Sequence, residues 1–287
     1  MKPASFEYTA PATTADAVAL LCGHPEAKII AGGQSLVPMM NFRLARPELL
    51  VDIGRIDGLR YVRRDGDWLA VGALTTEHTV GTSAAVAAAC PVLTEATRWI
   101  GHQAIRHRGT IGGSVAHSDP SAEYPLVGTL LDAVVVTEGA EGTREIPFGE
   151  FCVGHFTTAL GDAELITELR FPALAPGTGW AFAEVARRAG DFALVSVGVT
   201  LRMAGNSVTE ARIALGGVGP APVRATRAES LLRGQRVSDA LIEAAAAEAA
   251  ATVSPPSDMH GSADFRRQLC RVLTARGLRE AQRNVHV

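Results

Sequence analysis

Residues Lys28 to Asn41 read KIIAGGQSLVPMMN. An apolar run ends in two glycines, a polar pair follows, and a second apolar segment begins. The pattern predicts a strand, a tight loop with exposed backbone N–H groups, and a short helical turn. Such a loop suits phosphate, because consecutive amides and a helix N-terminus converge on negative charge. Alone, its plainer reading is a structural glycine turn. A second segment of the same kind, RGTIGGSVAHSDP at Arg108 to Pro120, shifts the balance. Two such loops suit a diphosphate, since both phosphates can be held without a positive side chain. Gly32 and Gly33 leave room for close backbone approach and permit positive φ. Gln34 and Ser35 add donors, while Thr110, Gly112, Gly113 and Ser114 supply small or hydroxyl groups. Neither segment has the GxGxxG of a Rossmann unit or the GxxxxGK(S/T) of a P-loop, so the usual nicotinamide and ATP readings both fall.

Outward from these segments the chain reads as mixed α and β. Thr13 caps a helix that Gly23 and Pro25 end, with Asp16 near a capping-box position. Strands are expected at Lys28–Ala31 and Leu49–Ile53. Asp65-Gly66-Asp67 between LRYVRR and WLAVGA is a hairpin signal. Thr75-Thr76-Glu77 opens a helix, Ala84–Ala89 is helical, and Pro91 starts the next helix, with Leu93, Ala96, Trp99 and Ile100 on one face. A helix at about Tyr124–Leu131 precedes strands at Ala133–Thr137, Arg144–Phe148 and Ala163–Phe171. The Pro- and Gly-rich stretch Pro172–Gly179 marks a boundary near residue 177. Beyond it come antiparallel strands at Ala181–Arg187, Ala193–Met203 and Val208–Leu215. Helices follow at Thr226–Leu232, Asp239–Ala251 and Ala263–Gln282. The last carries Phe265, Leu269, Val272, Leu273 and Leu278 near one another, with its arginines as a solvated face.

The totals exclude several classes. The chain has 287 residues, 47% hydrophobic and 20% charged, with a formal net charge of −3 and no basic tail. A phosphate footprint for nucleic acid is therefore not expected. No apolar run approaches a membrane span and no secretory pattern is visible at the start. The four cysteines, Cys22, Cys90, Cys152 and Cys270, are widely spaced without CxxC. They suggest buried apolar groups in a reducing cytoplasm and neither an iron–sulfur cluster nor a zinc site.

Other polar residues carry two readings each. Asp119 either accepts from a ribose or ribitol hydroxyl or caps a helix before Pro120. His102, His107 and His117 lack structural metal spacing and read as polar loop groups. No GxSxG nucleophile context occurs, and Glu77-His78 has no supporting general-base partner. In RRAGDF, Arg187 to Phe192, Phe192 could lie against a planar ring. The residues alone favour a hairpin turn with a core aromatic.

The chain resembles the flavin-binding medium subunits of the molybdenum hydroxylases, a group that includes xanthine dehydrogenase and aerobic carbon monoxide dehydrogenase. The resemblance covers essentially the whole chain and rests on AGGQSLVPMMNFRLARPELLVDI, IRHRGTIGGSVAHSDPSAEYP and RRAGDFALVSVGV, in order and at this spacing. It implies an α+β fold: an FAD-binding domain of the vanillyl-alcohol-oxidase (PCMH) type over 1–177, with subdomains of about 1–56 and 57–177. A C-terminal domain over 178–287 would pack a small antiparallel sheet on helices. By the same resemblance, Ala31, Gly32, Gly33, Gln34, Ser35 and Leu36 wrap the FAD diphosphate from one side. Thr110, Ile111, Gly112, Gly113 and Ser114 do so from the other. Ala116, Ser118, Asp119 and Glu123 continue the second segment. Phe192 matches a position where some relatives carry Tyr near the isoalloxazine, and Arg187 one where relatives place a basic residue beside it.

The implied role is electron transfer within a cytoplasmic complex, with no catalytic residue or metal ligand in this chain. A large molybdopterin subunit would hydroxylate the substrate, and a small subunit with two 2Fe–2S clusters would pass electrons to the FAD here. An external acceptor would take them on, in a dimer of heterotrimers. The carbon monoxide enzyme's motifs are AGGHS and TIGGN, whereas this chain has AGGQS and TIGGS. That departure points to bacterial hydroxylases of N-heteroaromatic compounds such as quinoline or nicotine, with a carbon monoxide dehydrogenase-like complex as the alternative. Two rivals stand apart. One is a self-contained FAD oxidase or dehydrogenase, and the other is a non-catalytic scaffold whose glycine loops only shape an interface.

Overall fold

The computed structural model describes residues 1–285. Near the N-terminus, β1 (Glu7–Thr9), α1 (Thr14–Gly23), β2 (Ala27–Ile30), α2 (Leu36–Asn41) and β3 (Leu49–Asp52) form a small α/β layer. Its strands run parallel in the order β1-β3-β2, with Ala27 and Glu7 both paired to Leu49. Thr13 starts α1 as its side chain accepts from the Asp16 N–H at 3.1 Å, satisfying one of the helix's orphan donors. Ala17, Val18 and Leu21 of α1 bury against Val51, Ile53 and Leu165.

The hairpin β4 (Val62–Asp65) and β5 (Trp68–Gly72) turns at Gly66, whose φ is 57°. Then come α3 (Glu77–Thr82), α4 (Ala84–Ala89), α5 (Pro91–Trp99), α6 (Gln103–Arg106), α7 (Ile111–His117) and α8 (Glu123–Leu131). The strands β6 (Val134–Gly139) and β7 (Gly142–Pro147), the short α9 (Phe148–Phe151), and the ribbon β8 (Cys152–Gly154) with β9 (Thr157–Thr158) lead to β10 (Glu164–Pro172). A five-stranded antiparallel sheet of order β4-β5-β10-β6-β7 results. Its core joins Leu69, Val71 and Leu169 to Leu93, Ile111, Leu126 and Leu130 from the helices.

The remainder contains β11 (Gly179–Ala186), β12 (Ala193–Ala204), β13 (Ser207–Gly216), β14 (Val223–Arg224), α10 (Thr226–Leu232), α11 (Asp239–Ala251) and α12 (Ala263–Asn284). The four strands pair antiparallel in sequence order. β12 is covered on both faces, which suits its run ALVSVGVTL. Val195, Val197, Val199 and Leu201 join the core under α11 and α12. On the opposite face, Gly198 admits α8, because a β-carbon there would stand 2.8 Å from Leu126 Cδ2 and 2.9 Å from Leu130 Cδ2. The sheet is thereby docked on the helix that follows the second glycine segment.

Several expectations need correction. Trp99 is half-exposed while Leu93 and Ala96 of the same helix are buried. On α12, Phe265 is exposed and Arg266 buried. The guanidinium of Arg266 donates to the carbonyls of Leu194 and Gly217 and, at 2.6 Å, to Asp258. These acceptors draw the helix round so that Arg266, Cys270, Leu273 and Leu278 face inward. Cys22 is exposed and Cys152 only partly buried, so the cysteines are not uniformly core groups.

Candidate functional site

The two glycine segments meet directly. A β-carbon on Gly32 would collide with the Arg108 carbonyl and stand 2.8 Å from Gly109 Cα. Only a residue without a side chain allows this backbone-to-backbone seat. Gly33 has a different need: its φ of 72° is left-handed. One turn further along the second segment, a β-carbon on Gly113 would lie 3.8 Å from Ala31 Cβ. The strand end of β2 and the first turn of α7 therefore form one surface.

Their amides differ. Among the described residues, the N–H groups of Gly32, Gly33, Gln34, Ser35 and Leu36 make no hydrogen bond. These residues are partly exposed. Ser35 is the N-cap of α2 but gives it no side-chain bond, and Gln34 Nε2 donates to the Gly32 carbonyl at 3.1 Å. The result is a run of consecutive unpartnered donors, the arrangement that receives an anion.

The second segment is helical where a loop was expected. Its amides are spent on the protein: Ile111 donates to Thr75 O at 3.1 Å, Gly112 to Ala73 O at 2.9 Å, and Ser114 to Thr110 O at 3.0 Å. Gly113 donates to Thr110 Oγ1 at 3.1 Å. Packing overrides the poor helix propensity of two glycines, because a β-carbon on Gly112 would stand 2.7 Å from the Ala73 carbonyl oxygen. Ile111 is wholly in the core. What this segment offers outward is the Ser114 side chain, partly exposed, with Ala116 exposed beyond it.

Past α7 the backbone turns sharply. Ser118 is buried with φ of 52°, and the Phe156 N–H donates to its carbonyl at 3.2 Å. The Asp119 Oδ1 accepts from the Ser121 N–H at 2.9 Å. It thus fixes a turn, and Ala122, not Asp119, stands at the N-cap of α8. Oδ2 of Asp119 has no partner among the described residues. The His117 ring packs tilted against Phe156, centroids 4.9 Å apart, and burial lowers its pKa, against the pull of Asp119.

Arg187 and Phe192 flank the turn between β11 and β12, and both are exposed. The turn was expected, but Phe192 is not a core aromatic. This turn leans on the helix that delivers the second segment: a β-carbon on Gly190 would stand 2.9 Å from His102 Nδ1. His107 stacks on His78 at 4.0 Å. Among the described residues no group of His, Cys, Asp and Glu is arranged to hold a metal.

Behind the surface lies a set of acids. Glu77, Glu123 and Glu184 are 5%, 5% and 7% exposed. Burial pushes the Glu77 carboxyl up to about 7 against the opposing pull of Arg106, and burial pushes Glu184 up to about 8. Glu123 is raised well above the carboxylate range by burial and then by Glu184. Sequence reasoning named Glu123 but missed Glu77 and Glu184 as parts of this region. A lone Glu in the apolar strand WAFAEVA was the available signal.

The comparisons agree along the chain. Residues 4–174 match the family model of the FAD binding domain in molybdopterin dehydrogenase. Residues 180–281 match that of the CO dehydrogenase flavoprotein C-terminal domain. The chain is 44% identical to the 6-hydroxypseudooxynicotine dehydrogenase complex subunit alpha of Paenarthrobacter nicotinovorans, over 98% of this chain and 96% of that one. It is similar to a chain of the carbon monoxide dehydrogenase structure from Hydrogenophaga pseudoflava, with TM-score 0.97, 40% identity and 99% of each chain covered. A chain of quinoline 2-oxidoreductase from Pseudomonas putida 86 gives TM-score 0.96 at 38% identity, covering 99% of this chain and 100% of the other.

Proposed function

Because the chain belongs to the FAD-binding medium-subunit family of the molybdenum hydroxylases, we propose that it holds the FAD diphosphate on the amides of Gly32 to Leu36. It is the flavoprotein subunit of a multi-subunit oxidoreductase of this class. The residues present fit the cofactor. Gly32 seats the first segment directly on the Arg108–Gly109 backbone, and the consecutive N–H donors from Gly32 to Leu36 have no protein partner. That run of free amides is the observation that carries the proposal. When bound, FAD supplies the redox chemistry, and the protein supplies orientation and electrostatics.

The chain's own groups divide the work. Gly32 and Gly33 bring backbone donors to the diphosphate, and Ala31 and Gly113 shape the wall between the segments. The hydroxyls of Ser35, Thr110 and Ser114 add donors. Thr110 Oγ1 already accepts from Gly113 and keeps its own proton to give. Ile111, Gly112 and Ser118 hold the segment from behind, while Leu36 and Ala116 border it. Asp119 Oδ2 is free to accept from a ribityl or ribose hydroxyl, and burial favours the neutral form of Glu123, which can donate. Arg187 and Phe192 stand exposed on a turn docked to the same helix, suited to a planar ring and its charge. The FAD domain would end near residue 177, its subdomains dividing near residue 56.

The chain relays electrons from two 2Fe–2S clusters of a small partner subunit to an external acceptor. A large molybdopterin subunit carries out the hydroxylation. The assembly is a cytoplasmic dimer of heterotrimers, and no described helix is long and apolar enough to cross a membrane. The substrate is a small N-heteroaromatic molecule or a close analogue. Similarity to the pseudooxynicotine and quinoline enzymes supports this, while similarity to carbon monoxide dehydrogenase favours the second reading. Purification of the tagged chain from its native cell tests the assignment. Yellow protein with one FAD per chain and two copurifying subunits is expected. A colourless chain within an active complex, or a fully active single polypeptide, would overturn it.

A further inference from the structure

Gly109 touches both the cradle, through Gly32, and a buried carboxyl, that of Glu77. Gly32 sits against the Gly109 Cα. A β-carbon on Gly109 would stand 2.6 Å from the carboxyl carbon and both oxygens of Glu77. The Glu77 N–H donates to the Gly109 carbonyl at 2.9 Å, so backbone and side chain of Glu77 grip the same glycine. The carboxyl is 5% exposed, and its Oε2 has no hydrogen-bond partner.

We propose that Glu77 makes FAD binding proton-linked: the carboxyl packed on Gly109 takes up a proton from solvent as the diphosphate settles on the adjoining segment, Gly32 to Leu36. This rests on the reading that the cradle holds the diphosphate, and it adds the residue that governs affinity there.

The surroundings of Glu77 favour this role. From α6, Arg106 is the neighbouring cation, but its Nη1 is already shared between the carbonyls of Ile100 at 2.7 Å and Gly101 at 3.1 Å. Arg108, beside Gly109, is exposed. From α8 come Glu123 and the wholly buried Tyr124, both of which feel Glu77, and Glu123 in turn feels Glu184 of β11. On its own helix His78 is occupied by stacking on His107. Further along the second segment stands Asp119. The buried acids Glu123 and Glu184 are held toward their neutral forms, so the charge that changes on binding is the diphosphate's own, brought to the segment that contacts Gly109. Like charges separated by protein disfavour ionisation, and the cheapest relief is protonation of the nearest ionised acid.

Glu77 is the acid with a proton to gain. Its carboxyl titrates near 7, so at neutral pH it is divided between both forms. Glu184, near 8, is already mostly protonated there, and burial favours the neutral form of Glu123 as well. The diphosphate raises the Glu77 pKa in the bound state. Affinity is then constant below neutrality and falls as pH rises above the free-state pKa, by up to about tenfold per pH unit for one proton.

The test is calorimetric titration of FAD into the full-length chain stripped of flavin, in two buffers of unlike ionisation enthalpy. Uptake of about half a proton per FAD at about pH 7, rising toward one at about pH 8, is expected. Glu77→Gln should abolish the uptake and flatten the affinity against pH, while Glu184→Gln retains the uptake at neutral pH. Equal heats in both buffers, or unchanged uptake in Glu77→Gln, would overturn the inference while leaving FAD binding intact. A chain that takes up no FAD at any pH would overturn the cradle and this inference together. The two-buffer comparison on the unaltered chain stands even if the variant folds poorly.

Discussion

Gly32 rests on Arg108 backbone to backbone, and this seat joins the strand-loop segment near the N-terminus to the helix-bearing segment far along the chain. The most direct consequence concerns substitution there. Gly32→Ala places a methyl into the Arg108 carbonyl and must part the segments. Overpacking of this kind costs about 1–3 kcal/mol. Flavin content should fall more than tenfold, read from the visible absorption of the purified chain, while far-ultraviolet circular dichroism stays native.

Thr110 closes the first turn of α7 by accepting from Gly113. Thr110→Val removes that cap at a cost of about 1 kcal/mol, and Thr110→Ser restores it. Thermal melting of the two variants should separate accordingly. Equal melting temperatures would show that the cap contributes nothing.

Stability depends on pH in opposite senses at the two ends. Glu77 and Glu184 are held above the ordinary carboxylate value, to about 7 and about 8. Their neutral forms are favoured by the fold, so their contribution is complete below the unfolded value. It is lost as pH rises through the folded values. Glu184→Gln should therefore raise the melting temperature in mild alkali and leave it unchanged in acid. Glu164 behaves the other way. Burial alone would raise its pKa, yet hydrogen bonds from Arg144, the Gly161 N–H and Thr137 bring it down to about 2. That support is present above the unfolded value and fades as pH falls toward 2. Arg144→Gln should flatten the acid limb of the melting curve.

Arg266 is a cation in the core of α12, tied to Leu194, Gly217 and Asp258. Losing the guanidinium leaves the Leu194 and Gly217 carbonyls without this donor, at about 1–3 kcal/mol for each group left unsatisfied. Arg266→Ala should lower the denaturant midpoint accordingly. A shift within error would mean that the carbonyls are readily resolvated.

Much of this architecture could be read in advance because its signals are local. Asp65-Gly66-Asp67 needs only a left-handed glycine to turn β4 into β5, and Pro91 at the first position of α5 lacks only an N–H that the helix start does not use. Thr13 likewise announces α1. Other features depend on distant partners. TIGGS reads as a loop until Ala73 is placed beside Gly112, and Arg266 reads as solvated until the Leu194 and Gly217 carbonyls are placed beside it. The site divides in the same way. Gly32 and Gly33 marked it, but the separation of free amides at 32–36 from bonded amides at 111–114 follows from the tertiary fold. Glu77 was visible only as a helix-opening residue, since nothing nearby in sequence reveals that Gly109 covers its carboxyl.

The central claim is that the first glycine segment, through its backbone, receives the diphosphate. Amide hydrogen exchange resolved to single residues, with and without FAD, tests it most directly. Exchange at Gly32 through Leu36 should slow markedly on binding, whereas the bonded amides of Ile111 to Ser114 change little. FAD bound at one per chain with exchange at Gly32 through Leu36 unaltered would contradict the account.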